Sequence, residues 1–120
     1  MAVVTDLTSG FSVTSPMGEK LGTITSSDLD LSTGNVFSDA PSSNVTYTFS
    51  NAPASGIAYA LTFKVTPSAA ITLTLSGATF RYAKEVIPDA PANGKTNIYV
   101  LETVDAGASF TVLLAGQDMA

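Results

Sequence analysis

The sequence contains no histidine, no cysteine and no tryptophan. Without histidine a Ser-His-Asp triad lacks its base, and without cysteine there is no thiolate nucleophile. Zinc sites of the common kinds lose their nitrogen and sulfur ligands with them. A disulfide framework is impossible, so the redox compartment leaves no mark on the chain. Charge is scarce as well. Charged residues make up 12% of the chain, about half the usual share. The cations are Lys20, Lys64, Arg81, Lys84 and Lys95, set against ten acidic residues for a net charge of −5. Cations so few and so scattered do not neutralise a run of phosphates, which sets nucleic acid aside. An anionic membrane surface is disfavoured on the same ground. No apolar run approaches the ~20 residues of a membrane helix, so no membrane insertion is expected. The start, Met1-Ala-Val-Val-Thr-Asp6, lacks the basic and apolar stretches of a signal peptide.

What the 120 residues do contain is Thr, Ser and short apolar alternations, cut at close intervals by Gly and Pro. The clearest strand runs from Ile57 to Thr66. Ile57, Tyr59, Leu61, Phe63 and Val65 fall on one face, and Ala58, Ala60, Thr62, Lys64 and Thr66 on the other, the period-two pattern of a half-buried strand. Pro67 then interrupts it, having no N–H for a ladder. Val45, Tyr47 and Phe49 alternate with Thr46 and Thr48 upstream, and Ile71, Leu73 and Leu75 with Thr72 and Thr74 downstream. This succession predicts adjacent antiparallel strands. Asn93-Gly94 and Asp105-Ala-Gly107 are turn signals, bounding strands over Thr96 to Val104 and Phe110 to Ala115. Leu29 and Leu31 alternate with Asp28 and Asp30, and Val36-Phe37 opens a further strand. Phe11-Ser-Val13 and Leu21 to Ile24 fit short strands, but residues 1–27 read as a less regular N-terminal arm or anchoring segment. Short strands about ten residues apart predict one all-β domain over 1–120, an antiparallel β-sandwich of jelly-roll-like form.

The last two strands are apolar on both faces. Ile98, Val100, Val112 and Leu114 are assigned to the core, which leaves Tyr99, Leu101, Leu113 and Ala115 without cover. A strand apolar on both faces is usually covered on both, so these four are the expected subunit contact of a homo-oligomer. A monomer with a Thr/Ser-rich coat is the plain alternative.

Carboxylate pairs are the one catalytic arrangement the composition permits: Asp28 with Asp30, Glu85 with Asp89, and Glu102 with Asp105. Two residues apart in a strand, Asp28 and Asp30 share a face and read as solvated. The stretch Ser27 to Asn35 is rich in oxygen ligands but lacks EF-hand spacing and its terminal Glu. Gly94-Lys-Thr96 lacks the earlier Gly and following helix of a phosphate loop. Asn44-Val45-Thr46 fits a glycosylation acceptor, a tripeptide common by chance. No catalytic residue, cofactor or metal is expected, and the chain reads as non-enzymatic.

From Leu29 onward the order of pieces resembles a domain found at the ends of tailed-phage fibres and in related virion proteins. The pieces are Ser32-Thr-Gly-Asn-Val-Phe37, Asn51-Ala-Pro-Ala-Ser-Gly56, Ala60-Leu-Thr-Phe-Lys-Val65, Ile71-Thr-Leu-Thr74, and the ending Gly94-Lys-Thr…Val104-Asp-Ala-Gly107…Leu114-Ala-Gly-Gln-Asp118. The resemblance implies a β-sandwich that packs as a homotrimer on a virion, beside other tail or capsid proteins. Members often carry Trp-Pro after the Ile-Thr strand, where this chain has Phe80-Arg-Tyr82 and later Ile87-Pro88. They also carry a Trp in the last hairpin, where this chain has Phe110. The expected role is a short fibre or fibre-tip component exposed on the particle. Capsid decoration and a module binding a host surface receptor or glycan are the alternatives. For receptor contact, the aromatic residues outside clear strand interiors are Phe37, Phe80 and Tyr82.

Overall fold

The computed structural model describes residues 18–120 of the chain, and Phe11-Ser-Val13 lies outside them. The described residues are all-β. Nine strands form: β1 (Thr23–Thr25), β2 (Asp28–Asp30), β3 (Val36–Asp39), β4 (Val45–Ser50), β5 (Tyr59–Val65), β6 (Leu73–Leu75), β7 (Thr79–Tyr82), β8 (Thr96–Thr103) and β9 (Ser109–Met119). A 3₁₀ turn at Ala83–Glu85 follows β7. The strands build a four-stranded sheet in the order β1-β2-β4-β6 and a five-stranded sheet in the order β3-β5-β8-β9-β7.

The period-two reading of the central strand holds over Tyr59–Val65, while Ile57, assigned to the same inward face, precedes the strand and is 56% exposed. Leu61, Phe63 and Val65 of β5 are buried while Ala60 and Lys64 are exposed. Leu29 and Leu31 are likewise buried, as is Tyr47 of β4. These side chains meet between the sheets: Tyr47 of the four-stranded sheet sets its ring edge-on to Phe63 of the other, centroids 4.7 Å apart. Phe49 reaches Phe110 across the same space at 5.1 Å. One hydrophobic cluster joins both sheets.

The expected antiparallel succession of neighbours is corrected. β4 and β6 lie side by side in one sheet and run parallel, while β5 between them in sequence belongs to the other sheet. β2 with β4, β3 with β5, and β7 with β9 are also parallel pairs. The chain alternates between layers from β2 through β7, so each return to a sheet comes after a strand spent in the opposite one. Parallel neighbours require such a crossover, and here the crossover is itself a strand. Because β8 is antiparallel to both β5 and β9, β3, β5, β7 and β9 all point one way and β8 alone opposes them. The β8–β9 hairpin is therefore wedged between β5 and β7.

The two sides of this layered structure differ. On the β1/β3 side the chain passes from one sheet edge to the other over residues 20–22. The Gly22 N–H donates to the Val36 carbonyl at 2.7 Å, and the Asn35 N–H to the Lys20 carbonyl at 3.1 Å. Within the span read as an arm, Leu21 thus bridges to Val36 and Thr23–Thr25 join the four-stranded sheet as β1, paired to β2. On the opposite side, β6 and β7 end their sheets with no further strand among the described residues.

Candidate interaction surfaces

The β8–β9 hairpin is shaped by its turn. Ala106 and Gly107 both have positive φ, 58° and 81°, and the Ala108 N–H donates to the Asp105 carbonyl at 3.2 Å, the pattern of a type I′ hairpin turn. Asp105 fixes it by accepting from the Ser109 hydroxyl at 2.6 Å, the Ser109 N–H at 2.9 Å and the Thr103 hydroxyl at 3.0 Å. The Ser109 bonds, hydroxyl first, hold the Asp105 carboxyl below the usual carboxylate range.

Pairing across this turn corrects the face assignment made from sequence. Leu101 sits opposite Val112, Val100 opposite Leu113, and Tyr99 opposite Leu114. Tyr99 and Leu101 therefore point inward with Phe110 and Val112 and are buried in the core. They are withdrawn as subunit-contact residues. Leu113 stays on the surface, 56% exposed, and Ala115 is exposed with it. Ile98, Val100 and, on β5, Thr62 share their face and are half-buried at the surface of the five-stranded sheet. The exposed charges Lys64, beside Ile98, and Glu102 and Arg81, beside Thr111, lie on the same face around them. Ile98 and Val100 were thus missed, and a signal for them exists. A two-residue turn at Ala106-Gly107 pairs odd-numbered residues of one strand with even-numbered ones of the other, so Leu101 must face the same way as Val112.

The inward position Asn97 is polar, which obscured that face. Its amide is completely buried and fully used. It donates to the Asp89 carbonyl at 3.1 Å and to the Tyr99 hydroxyl at 3.0 Å, and accepts from the Asp118 N–H at 2.9 Å. One side chain thus ties the 86–95 segment to the ends of both long strands. Burial pushes the Tyr99 phenol above its ordinary value.

The three aromatics expected at a receptor contact separate. Phe37 is completely buried, packed beneath the Gly22 crossing, and is withdrawn as a surface residue. Phe80 and Tyr82 are half-buried on the inward face of the edge strand β7. Phe80 stacks on Phe110 with centroids 5.7 Å apart, and burial raises the Tyr82 phenol. They border a shallow depression of about 540 Å³ completed by Thr79, Arg81, Glu85 and Ile87. A smaller hollow of about 130 Å³ continues from Tyr82 and Ile87 to Leu73, Leu75, Pro88 and Tyr99. Val86 and Ile87, beside it, are 65% and 68% exposed. Lys84 and Glu85 take positive φ, 53° and 59°, a conformation uncommon for such side chains.

Asp28 and Asp30 share the outer face of β2, as read from their spacing, and are absorbed by hydroxyls and an amide. Asp28 accepts from Thr48 at 2.7 Å and from Ser50. Asp30 accepts from the Ser32 hydroxyl at 2.6 Å and from the Asn51 amide at 3.0 Å, and these bonds lower its carboxyl from the ordinary value, Ser32 contributing most. Glu102 is exposed on the outer face of β8 while Asp105 is engaged in the turn. Among the described residues no group of three or more acidic side chains is placed to hold a metal ion. The surfaces present hydroxyl, aromatic and aliphatic groups with isolated charges, a chemistry suited to contact. No family model, no curated protein and no solved structure matches the chain.

Proposed function

We propose that the chain is a structural component of a phage particle, a short fibre or fibre-tip protein that assembles as a homotrimer through the outer face of the five-stranded sheet. The observation that carries this reading is the patch of Ile98, Val100 and Leu113 at the centre of that face, on a chain with only 12% charged residues. An apolar patch on a charge-poor surface is an aggregation liability unless a partner covers it. Burial between copies gains about 25 cal/mol for each Å² of apolar area removed from water. The resemblance of the pieces from Leu29 to Asp118 to phage-fibre domains supports the virion assignment. So does a sandwich-like pair of layers whose strands alternate between them, the feature shared with a jelly roll, although the parallel pairs depart from that form. The depression at Phe80 and Tyr82 is the place for a host receptor, and decoration of the capsid is the second reading.

Immunogold labelling of purified particles with antibody raised against the recombinant chain tests the assignment. Label at the tail end is expected. Label spread over the capsid selects the decoration reading, and particles that carry none of the protein overturn both.

A further inference from the structure

We propose that Asn93 is a site of spontaneous chemical modification, converting to isoaspartate with loss of ammonia, and that the hydrogen bond from the Gly94 N–H to the Pro67 carbonyl restrains this conversion in the folded chain. Asparagine is a thermolabile residue. Of the five asparagines, Asn93 alone precedes glycine; Asn35 and Asn44 precede valine, Asn51 alanine and Asn97 isoleucine. The reaction begins when the main-chain nitrogen of the next residue attacks the asparagine side chain, so a side chain on that next residue hinders it. Gly94 has none, and even an added Cβ there would meet nothing within 4 Å. Asn93 and Gly94 are both exposed. They are the central residues of a turn closed by the Lys95 N–H donating to the Ala92 carbonyl at 2.9 Å, with Gly94 at φ 74°, the type II pattern. Asn97 is the opposite case, its amide completely buried and held by Asp89, Tyr99 and Asp118.

The Gly94 nitrogen gives up its proton and forms a bond to Asn93 Cγ. The Cγ–Nδ2 bond breaks, and the side-chain nitrogen departs as ammonia, carrying that proton. Water then opens the cyclic imide that is left. Addition at the Asn93 main-chain carbonyl leaves the chain running through Cβ and Cγ, the isoaspartate form, and addition at Cγ leaves an ordinary aspartate. Either product adds one negative charge to a chain already at −5. In the folded chain the Gly94 N–H donates to the Pro67 carbonyl at 2.8 Å, and this bond has to break before the nitrogen is free to turn onto Cγ. The net loss of one hydrogen bond slows that step by about two- to twelvefold. On the other side of Asn93, the Ala92 N–H donates to the Asp118 carboxylate at 2.8 Å. Isoaspartate lengthens the main chain by one carbon between these two bonds, so the modified turn does not keep both.

The full chain is incubated in warm, mildly alkaline buffer, once folded and once in guanidinium chloride, and digested with trypsin at intervals. Cleavage after Lys84 and Lys95 releases residues 85–95, in which Asn93 is the single asparagine. In the unfolded chain this peptide is expected to split by chromatography into isoaspartate and aspartate forms, each with the mass gain of an amide-to-acid exchange, before the peptides carrying the other asparagines. In the folded chain the split is expected about two- to twelvefold more slowly. Hydrogen exchange should show the Gly94 amide protected although the residue is exposed, and isoaspartate-bearing protein should unfold at a lower urea midpoint than fresh protein. Earlier conversion at another asparagine in the unfolded chain, or a split that persists in Asn93→Ser, overturns the site. Equal rates in the folded and unfolded chain, or an unprotected Gly94 amide, overturn the restraint by Pro67. An unchanged urea midpoint overturns the anchoring of the turn by Pro67 and Asp118.

Discussion

Phe63 and Thr62 are neighbours in sequence on opposite sides of β5: the phenylalanine is completely buried against Tyr47, and the threonine lies on the outer face. Phe63→Ala should therefore cost about 3–5 kcal/mol, the range for a buried aromatic, and Thr62→Ala far less, both read by urea denaturation. Equal losses would show that the face of β5 is assigned wrongly. Gly22 is fixed by a different constraint. A methyl group there would enter the ring of Phe37, which is itself completely buried and has no free space to move into. Gly22→Ala should cost about 1–3 kcal/mol by overpacking, and an unchanged urea midpoint would show that the crossing is looser than described. Asp30 and Asp105 set an acid limit. Both carboxyls are held below their ordinary value by hydrogen bonds, from Ser32 and Asn51 in one case and chiefly Ser109 in the other. A folded-state value below the unfolded one adds stability that is fully present above the unfolded value of ~3.9 and is lost as pH falls from there through the lower folded-state value. The melting temperature should therefore drop from pH 5 toward pH 3, and Asp105→Asn should make that fall shallower. An equally steep fall in the variant would remove Asp105 from the explanation.

At the scale of elements, the β8–β9 hairpin shows what was legible and what was not. Its position followed from the Asp-Ala-Gly turn chemistry, and the inward placement of Val112 and Leu114 was read correctly. Tyr99 and Leu101 were assigned to the surface, and Asn97 and Thr103, polar residues in the same row, give no sign in the sequence of an inward face. Both are satisfied where they lie, Asn97 by Asp89, Tyr99 and Asp118, and Thr103 by Asp105 and Gly107. Burial of polar groups needs such partners, and these come from distant or turn positions that periodicity does not reveal. The β1–β2 turn was invisible for another reason. Ser26 and Ser27 occupy it at φ 50° and 64° without the Asn or Gly that announces such turns. The exchange of strands between sheets was hidden as well, since period-two alternation reports a buried face and is silent about which sheet holds it. The hairpin turn also gives a stabilising prediction. Ala106 holds a left-handed conformation that costs an L-residue ~1–2 kcal/mol and glycine almost nothing. Ala106→Gly should stabilise the fold by about 0.5–1 kcal/mol once glycine's greater unfolded entropy is subtracted. A lower urea midpoint in that variant would contradict the turn geometry.

For the molecule as a whole, alternation of β2 to β7 between two sheets packs Leu29, Tyr47, Phe63 and Phe110 into one core and leaves the outer face around Val100 and Leu113 outside it. An apolar patch on one small, charge-poor chain is the reason for reading it as a subunit of a larger assembly. The patch residues and the core residues of β8 and β9 alternate, so a charge distinguishes them sharply. At Leu101, completely buried, an introduced aspartate should unfold the chain. At Leu113, 56% exposed, it should leave the fold intact and act on assembly alone. Sedimentation velocity at micromolar concentration, run on the natural chain and on Leu113→Asp with far-ultraviolet circular dichroism beside it, tests the trimer directly. The account predicts a trimer that falls to a monomer of unchanged β content, and a natural chain that sediments as a monomer, or a Leu113→Asp variant that stays trimeric, would contradict it.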